Sequence, residues 1–326
     1  MIIYLRSSRG LGIISVLMTV AVLMLSGCGS SPPPQRDPTI DSELARYNRA
    51  ARQAFSKGRF QQAAGFYRRS LERAYVRDDS AAILDARYNL AVCLLNLQSY
   101  EEALEVVRRA KTEMALADHG TSFDFLLLEA TLLHRRGNPD AAWEITDQIL
   151  TDPAQTSSVI RSKTHFLRGL IASEQDNVNQ LRASIAALGQ PDELRLRANR
   201  QELVGHLAMA EQDWPAAIEA FDRTTRLRRE ALDYRSMVRA LVLAGQASEK
   251  AGQTREAAIR YLRAGRSVFW QDQLDEAQRW LNHAIQLAIA ADEENIIEAA
   301  RNHLQQIEVR TSTSSNGLDQ QGAALE

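Results

Sequence analysis

The sequence predicts an all-α protein: an α-solenoid (superhelix) of about seven stacked helical hairpins with a C-terminal capping helix. Two observations predict it. The first is a small residue that returns in one setting. Ala63, Ala103, Ala142, Ala217, Ala257 and Ala277 each follow another small residue by twelve positions: Ala51, Ala91, Ala130, Gly205, Gly245 and Gly265. A bulkier residue follows each alanine by four, namely Tyr67, Val107, Thr146, Phe221, Tyr261 and Leu281. The intervals between the alanines are 40, 39, 75, 40 and 20 residues. Recurrence at this period marks stacked helical hairpins. The second observation is composition. Alanine and leucine are abundant, aromatics make up 6% of the chain, and no alternating β-branched stretch reads as a sheet. Each unit of a repeat array packs only on its neighbours, so 326 residues need not divide into compact domains. The net charge of -2 gives no pull toward nucleic acid, which is excluded as a partner class.

Residues 1–27 read as an address rather than as fold. Arg6 and Arg9 form a positive start, and Leu11–Leu25 is an apolar run too short to span a bilayer comfortably. The run ends in Leu25-Ser26-Gly27-Cys28, which resembles the lipobox of bacterial lipoproteins. The resemblance implies a signal peptide over 1–27, cleavage before Cys28, and lipid on the Cys28 sulfur and the new amine. Several acyl chains at about 0.8 kcal/mol per buried CH₂ would hold the protein on a membrane. Residues 28–41 continue as a proline- and serine-rich tether. By the same resemblance, Gly29 in place of Asp after the cysteine implies the inner leaflet of an outer membrane, facing the periplasm. The alternative is an uncleaved signal anchor. Cys93, the other cysteine, sits in an apolar helical pattern and reads as a buried small hydrophobe rather than a reactive thiol.

The first unit runs from Tyr47-Asn48-Arg49-Ala50-Ala51 through Gly58-Arg59-Phe60 to Ala63, Tyr67 and Ser70. The second runs from Tyr88-Asn89-Leu90-Ala91 through Ser99-Tyr100 to Ala103 and Ala110. These residues resemble the tetratricopeptide repeat (TPR). In that family a small residue of helix A nestles against a small residue of helix B, a turn joins the helices, and an aromatic opens helix B. The units here are 39–40 residues long against about 34 in the usual form, so the helices or connections must be longer. Residues 42–155 form an N-terminal block. Residues 156–190 hold a degenerate hairpin or joint, where Leu181 stands at the alanine position and is expected to leave the hairpin splayed or irregular. Residues 191–310 form a C-terminal block in which Thr254–Gln271 serves two units. Asn295–Val309 is the expected cap, and 311–326 a disordered polar tail.

No enzyme constellation is present. The six histidines do not pair at metal-ligand spacing, and the glycines stand singly. No catalytic residue, metal or cofactor is expected beyond lipid on Cys28. The arginine pairs, Arg228-Arg229 among them, read either as basic patches for lipid or glycan or as solvated cations at helix C-termini, and the second reading is preferred. Trp270 and Trp280 with Phe269 read as core packing under the cap, with a partner-binding patch as the alternative.

In the TPR family, partners lie on the concave face lined by A helices. Carried over position by position, that resemblance gives Asn48, Arg52, Tyr88, Asn89, His134, Lys163, Asn199, Glu202, His206, Arg239, Gln246 and Glu249 as the candidate groove. It implies a non-enzymatic, lipid-anchored scaffold that binds protein partners of the cell envelope, such as pilus, outer-membrane or peptidoglycan machinery. The alternative is a glycan- or small-ligand-binding envelope lipoprotein using Glu202, His206 and Gln246.

Overall fold

The computed structural model describes residues 41–116, 122–151 and 156–322, with side chains described through Ser312. The signal peptide, Cys28, nearly all of the tether and the last four residues lie outside the described residues. Fourteen helices and no strands are found among the described residues. They are α1 (Ser42–Ser56), α2 (Phe60–Val76), α3 (Ser80–Asn96), α4 (Tyr100–Leu116), α5 (Phe123–Arg135), α6 (Pro139–Thr151) and α7 (Ser158–Glu174). Then come α8 (Val178–Leu188), α9 (Leu194–Ala210), α10 (Trp214–Glu230), α11 (Tyr234–Lys250), α12 (Thr254–Phe269), α13 (Leu274–Ala290) and α14 (Glu294–Gly322). From α2 onward, most helices pack on their immediate neighbours, as expected of an α-solenoid.

The residues up to Ala45 form a separate unit, of which Asp41–Ala45 are described. There the Asp41 carboxylate accepts the amides of Glu43 and Leu44 at 3.0 and 2.9 Å and so caps the first helical turn. Everything from Arg46 onward is one unit.

The 40-residue period has a simple origin. Helices of 17 residues alternate with turns of three, as in α9, α10 and α11. One helix plus one turn spans 20 residues, which is also the interval between Ala257 and Ala277. The turns share one conformation without sharing one residue. A left-handed residue follows the helix end at Gly58, Gly137 and Gly252, and equally at Asp78, Gln98, Asp176, Gln212, Leu232, Asp272 and Asp292. In each, a later amide bonds back to a carbonyl of the last turn, as Asp213 N does to Ala208 O at 2.9 Å. Asp79, Asn177, Asp213 and Asp233 then cap the next helix by accepting from an amide three residues on.

All six marker alanines are fully buried, as are Ala51, Ala91 and Ala130. The close contact is more specific than small against small. A Cβ built on Gly205 would lie 2.5 Å from the Phe221 ring, one on Gly245 2.9 Å from the Tyr261 ring, and one on Gly265 2.8 Å from Leu281. The bulky residue four after each alanine fills the space the glycine leaves open. In the 156–190 segment this partner changes. Gly169 of α7 leaves room for Leu203 of α9, whose Cδ1 would lie 2.3 Å from an added Cβ. Leu181 does not splay its helix: it is fully buried with Ala172, Ile185 and Leu188. α8 has 11 residues and stops at Gly189, φ 58°, before Pro191.

Three expectations are corrected. α14 runs to Gly322, past the expected cap end at Val309. The Thr311 hydroxyl bonds back to the Ile307 carbonyl at 3.1 Å and Ser312 to Val309 at 3.0 Å, so these polar residues satisfy themselves within a helix. Phe269 is buried, but Trp270 is 69% exposed, because it lies at the C-cap of α12 rather than on its inner stripe. Arg228, read as a solvated cation, is 4% exposed, whereas Arg229 beside it is in solvent. Cys93 is a buried free thiol whose pKa burial pushes up to about 12, as suits a packing residue.

Candidate functional site

The superhelix returns on itself. The Arg235 guanidinium, at the start of α11, donates to Asn96 Oδ1 at the end of α3, 3.1 Å away and 139 residues earlier. Its Cζ stands 4.2 Å from the centre of the Phe60 ring, a cation–π contact with the first turn of α2. A Cβ on Gly58 would lie 3.9 Å from the Gln271 carbonyl. Early and late hairpins therefore meet along a seam. There a groove of about 390 Å³ is lined by Asn96, Arg135, Arg235, Arg239, Glu276 and Trp280, among others. Burial pushes the Arg135 guanidinium below its usual pKa, and Arg239 adds to this, while Tyr100, Glu174 and Glu202 oppose it. Groups from α4, α5, α7, α9 and α11 thus act on one space.

The twelve candidate groove residues fall into distinct environments. Asn199, Glu202 and Arg239 join one buried ionic network. Glu202 is 1% exposed and accepts from Arg239 at 2.5 Å and Arg228 at 3.0 Å. Arg228 also donates to Asn199 Oδ1 at 2.6 Å and to Asp233 at 3.3 Å. The sequence reading missed Arg228, although a signal was present: it continues the buried stripe Ala217, Phe221, Thr224 at helical spacing.

Five others are held by one or two partners. His134 is buried with its Nε2 2.8 Å from Glu174. Asn48 accepts from Ser70 at 2.7 Å, and Asn89 donates to the Asp85 carbonyl of its own helix at 2.8 Å. Glu249 accepts from the Tyr261 hydroxyl at 2.6 Å and faces His283 at 3.2 Å. Tyr88 stacks edge-on with Phe125 at 5.5 Å, and burial raises its phenol pKa. Arg52, Lys163 and Gln246 are exposed and, among the described residues, make no side-chain hydrogen bond or ion pair. Glu202 is sealed beneath two arginines, so the glycan site read at Glu202, His206 and Gln246 lacks an available carboxylate.

His206 is half-buried, edge-on to Phe221 at 5.4 Å. Burial lowers its pKa from 6.5; Arg239 also lowers it, and Glu202 and Glu174 oppose. A histidine with a depressed folded-state pKa stabilises the fold fully above its unfolded value. That contribution is lost as pH falls through 6.5 toward the folded value. Thermal melts from pH 7.5 to 5 should show a fall in Tm that is smaller in His206→Gln. Identical profiles would show that His206 does not titrate unfavourably in the fold.

Among the described residues, no group of three His, Cys, Asp or Glu could hold a metal ion. No helix there is long and apolar enough to cross a membrane. What this arrangement offers chemically is a polar, guanidinium-rich surface able to form hydrogen bonds and charge pairs.

Comparison with known proteins agrees with this architecture. No curated protein matches the chain in sequence. Among solved structures it is similar to a Rap protein complexed with competence and sporulation factor, at 11% identity and a TM-score of 0.52. That match covers 92% of this chain and 93% of the other. It is also similar to the apo form of RapI, at 11% identity and a TM-score of 0.50, covering 81% of this chain and 75% of that one. Residues 48–118 of this α-solenoid match the family model described as tetratricopeptide repeat.

Proposed function

We propose that this protein is a lipid-anchored, non-enzymatic scaffold that holds a protein partner of the cell envelope in the interior of its superhelix. The observation that carries the reading is the seam. Folding the array back on itself gathers Arg135, Arg235 and Arg239 with Asn96 around one groove. The exposed, unengaged Arg52, Lys163 and Gln246 supply further contacts at positions that the TPR resemblance assigns to the concave face. The Leu25–Cys28 lipobox supports lipid on Cys28 and a periplasm-facing site on the outer membrane.

Pull-down of the full chain from solubilised membranes, after crosslinking, tests this. Specific envelope proteins should be recovered, and the double variant Arg52→Glu/Lys163→Glu should lower their yield at least about fivefold while leaving the fold intact, since both side chains are in solvent. Arg239 is unsuitable for charge reversal, because a carboxylate there would face buried Glu202. Recovery of nothing specific, or equal recovery with both chains, would contradict the reading. Cys28→Ser should release the protein from the membrane fraction.

A further inference from the structure

Next to the seam groove, with which it shares Gln271, the end of α10 with α11 and α12 lines a second groove, of about 620 Å³. Its walls include Arg229, Arg263 and Arg266, and its apolar surface Tyr234, Met237 and Trp270; no carboxylate lines it. Among the described residues, none of the three arginines makes an ion pair or a side-chain hydrogen bond. The carboxylate that acts on Arg263 is Asp222, and Arg260 already occupies it at 2.7 and 3.4 Å. Burial lowers the Arg263 pKa, and Arg229, Arg260 and Arg266 lower it further. Three guanidiniums thus stand together with no ion pair of their own among the described residues, whereas the buried Arg228 and Arg87 are paired. The same groove exposes large apolar surface. Trp270 is 69% and Tyr234 47% exposed, and Leu232 beside them is 70% exposed. Exposed aromatics among arginines mark contact surfaces, because such side chains combine apolar area with oriented hydrogen bonding.

We propose that this groove, adjacent to the seam groove, is a second docking site for an acidic peptide segment that carries an apolar anchor residue. Charge complementarity requires the carboxylates, and the Met237–Trp270 surface requires the anchor. A bilayer would meet a flat face, whereas these cations line a concavity. A polynucleotide would need a continuous cationic track, but the neighbouring Arg228 and Arg260 are already neutralised.

The test uses the full chain in detergent and a fluorescein-labelled peptide, Gly-Asp-Glu-Leu-Asp-Glu-Phe-Asp-Gly, beside its counterpart with Asn and Gln for Asp and Glu. Anisotropy should show saturable binding of the acidic peptide only, weakening as salt rises. Arg229→Gln/Arg266→Gln and Trp270→Ala, all at exposed positions, should each weaken it at least about tenfold. Arg52→Glu/Lys163→Glu should leave it unchanged, which separates this site from the superhelix interior. Equal binding of the two peptides, absence of saturable binding, or indifference to the groove variants would overturn the proposal. So would quenching of Trp270 by brominated phosphatidylglycerol in mixed micelles that the acidic peptide does not relieve; that would make the surface a lipid contact.

Discussion

Arg228→Ala should destabilise the α9–α11 region by about 3–5 kcal/mol, the largest effect expected of any single substitution here. The arginine is 4% exposed and holds Asn199, Glu202 and Asp233 at once. Removing it leaves Glu202, 1% exposed, with Arg239 alone. A buried carboxylate that loses one of its two cationic partners keeps much of its desolvation cost without the attraction that offset it. Repeat arrays unfold locally, so the proper readout is hydrogen-exchange protection of α9–α11 rather than a single global transition. The paired change Arg228→Met/Glu202→Leu should cost far less, since it removes both charges and keeps the volume. A loss under about 1 kcal/mol for Arg228→Ala would mean that the network is solvated rather than buried.

The second large effect is expected at Gly205. Alanine there brings a Cβ to 2.5 Å from Phe221 Cε1 and 2.7 Å from Cδ1. Helix propensity favours alanine over glycine by about 1 kcal/mol, but overpacking a close helix contact costs about 1–3 kcal/mol. The steric term should win, because the ring is fully buried and has no free space to turn into. Gly205→Ala should therefore lower protection of α9 and α10, and Gly205→Ala/Phe221→Leu should restore most of it. Gly65 is the control. Nothing lies within 4 Å of a Cβ built there, so Gly65→Ala should stabilise α2 by up to about 1 kcal/mol. Equal effects at Gly205 and Gly65 would dismiss the interlock.

These two sites also mark what the sequence made legible. The recurring alanines announced the hairpins, and their 20-residue interval between Ala257 and Ala277 announced the helix-plus-turn module. The residue four beyond each alanine was visible too, but its role as the filler of the glycine gap required the packing of two helices. The turns were half-legible. Gly58, Gly137 and Gly252 carry a recognisable signature, whereas Leu232 adopts the same left-handed conformation with a side chain that gives no sign of it. Arg228 was misread from its place near a helix end, although its register with Phe221 and Thr224 set it on the inner face. Trp270 was misread in the opposite sense, because an aromatic next to buried Phe269 suggests core, yet the helix ends there.

The seam lay beyond sequence reasoning altogether. Arg235 and Asn96 are 139 residues apart, and their meeting follows from the small rotation that each hairpin adds to the last. Of the candidate groove residues, buried Glu202 is drawn into pairs with Arg228 and Arg239, while Arg52, Lys163 and Gln246 remain in solvent.

The central claim is that the interior of the superhelix is the partner-holding face. Site-specific photo-crosslinking in cells tests it most directly, with a benzophenone amino acid placed in turn at Arg52, Lys163 and Gln246, and at exposed Glu144 and Glu219 on B helices as controls. The account predicts that the first three positions capture the same envelope protein and the two controls do not. Capture of that protein from Glu144 and Glu219 alone, with none from the other three, would contradict it.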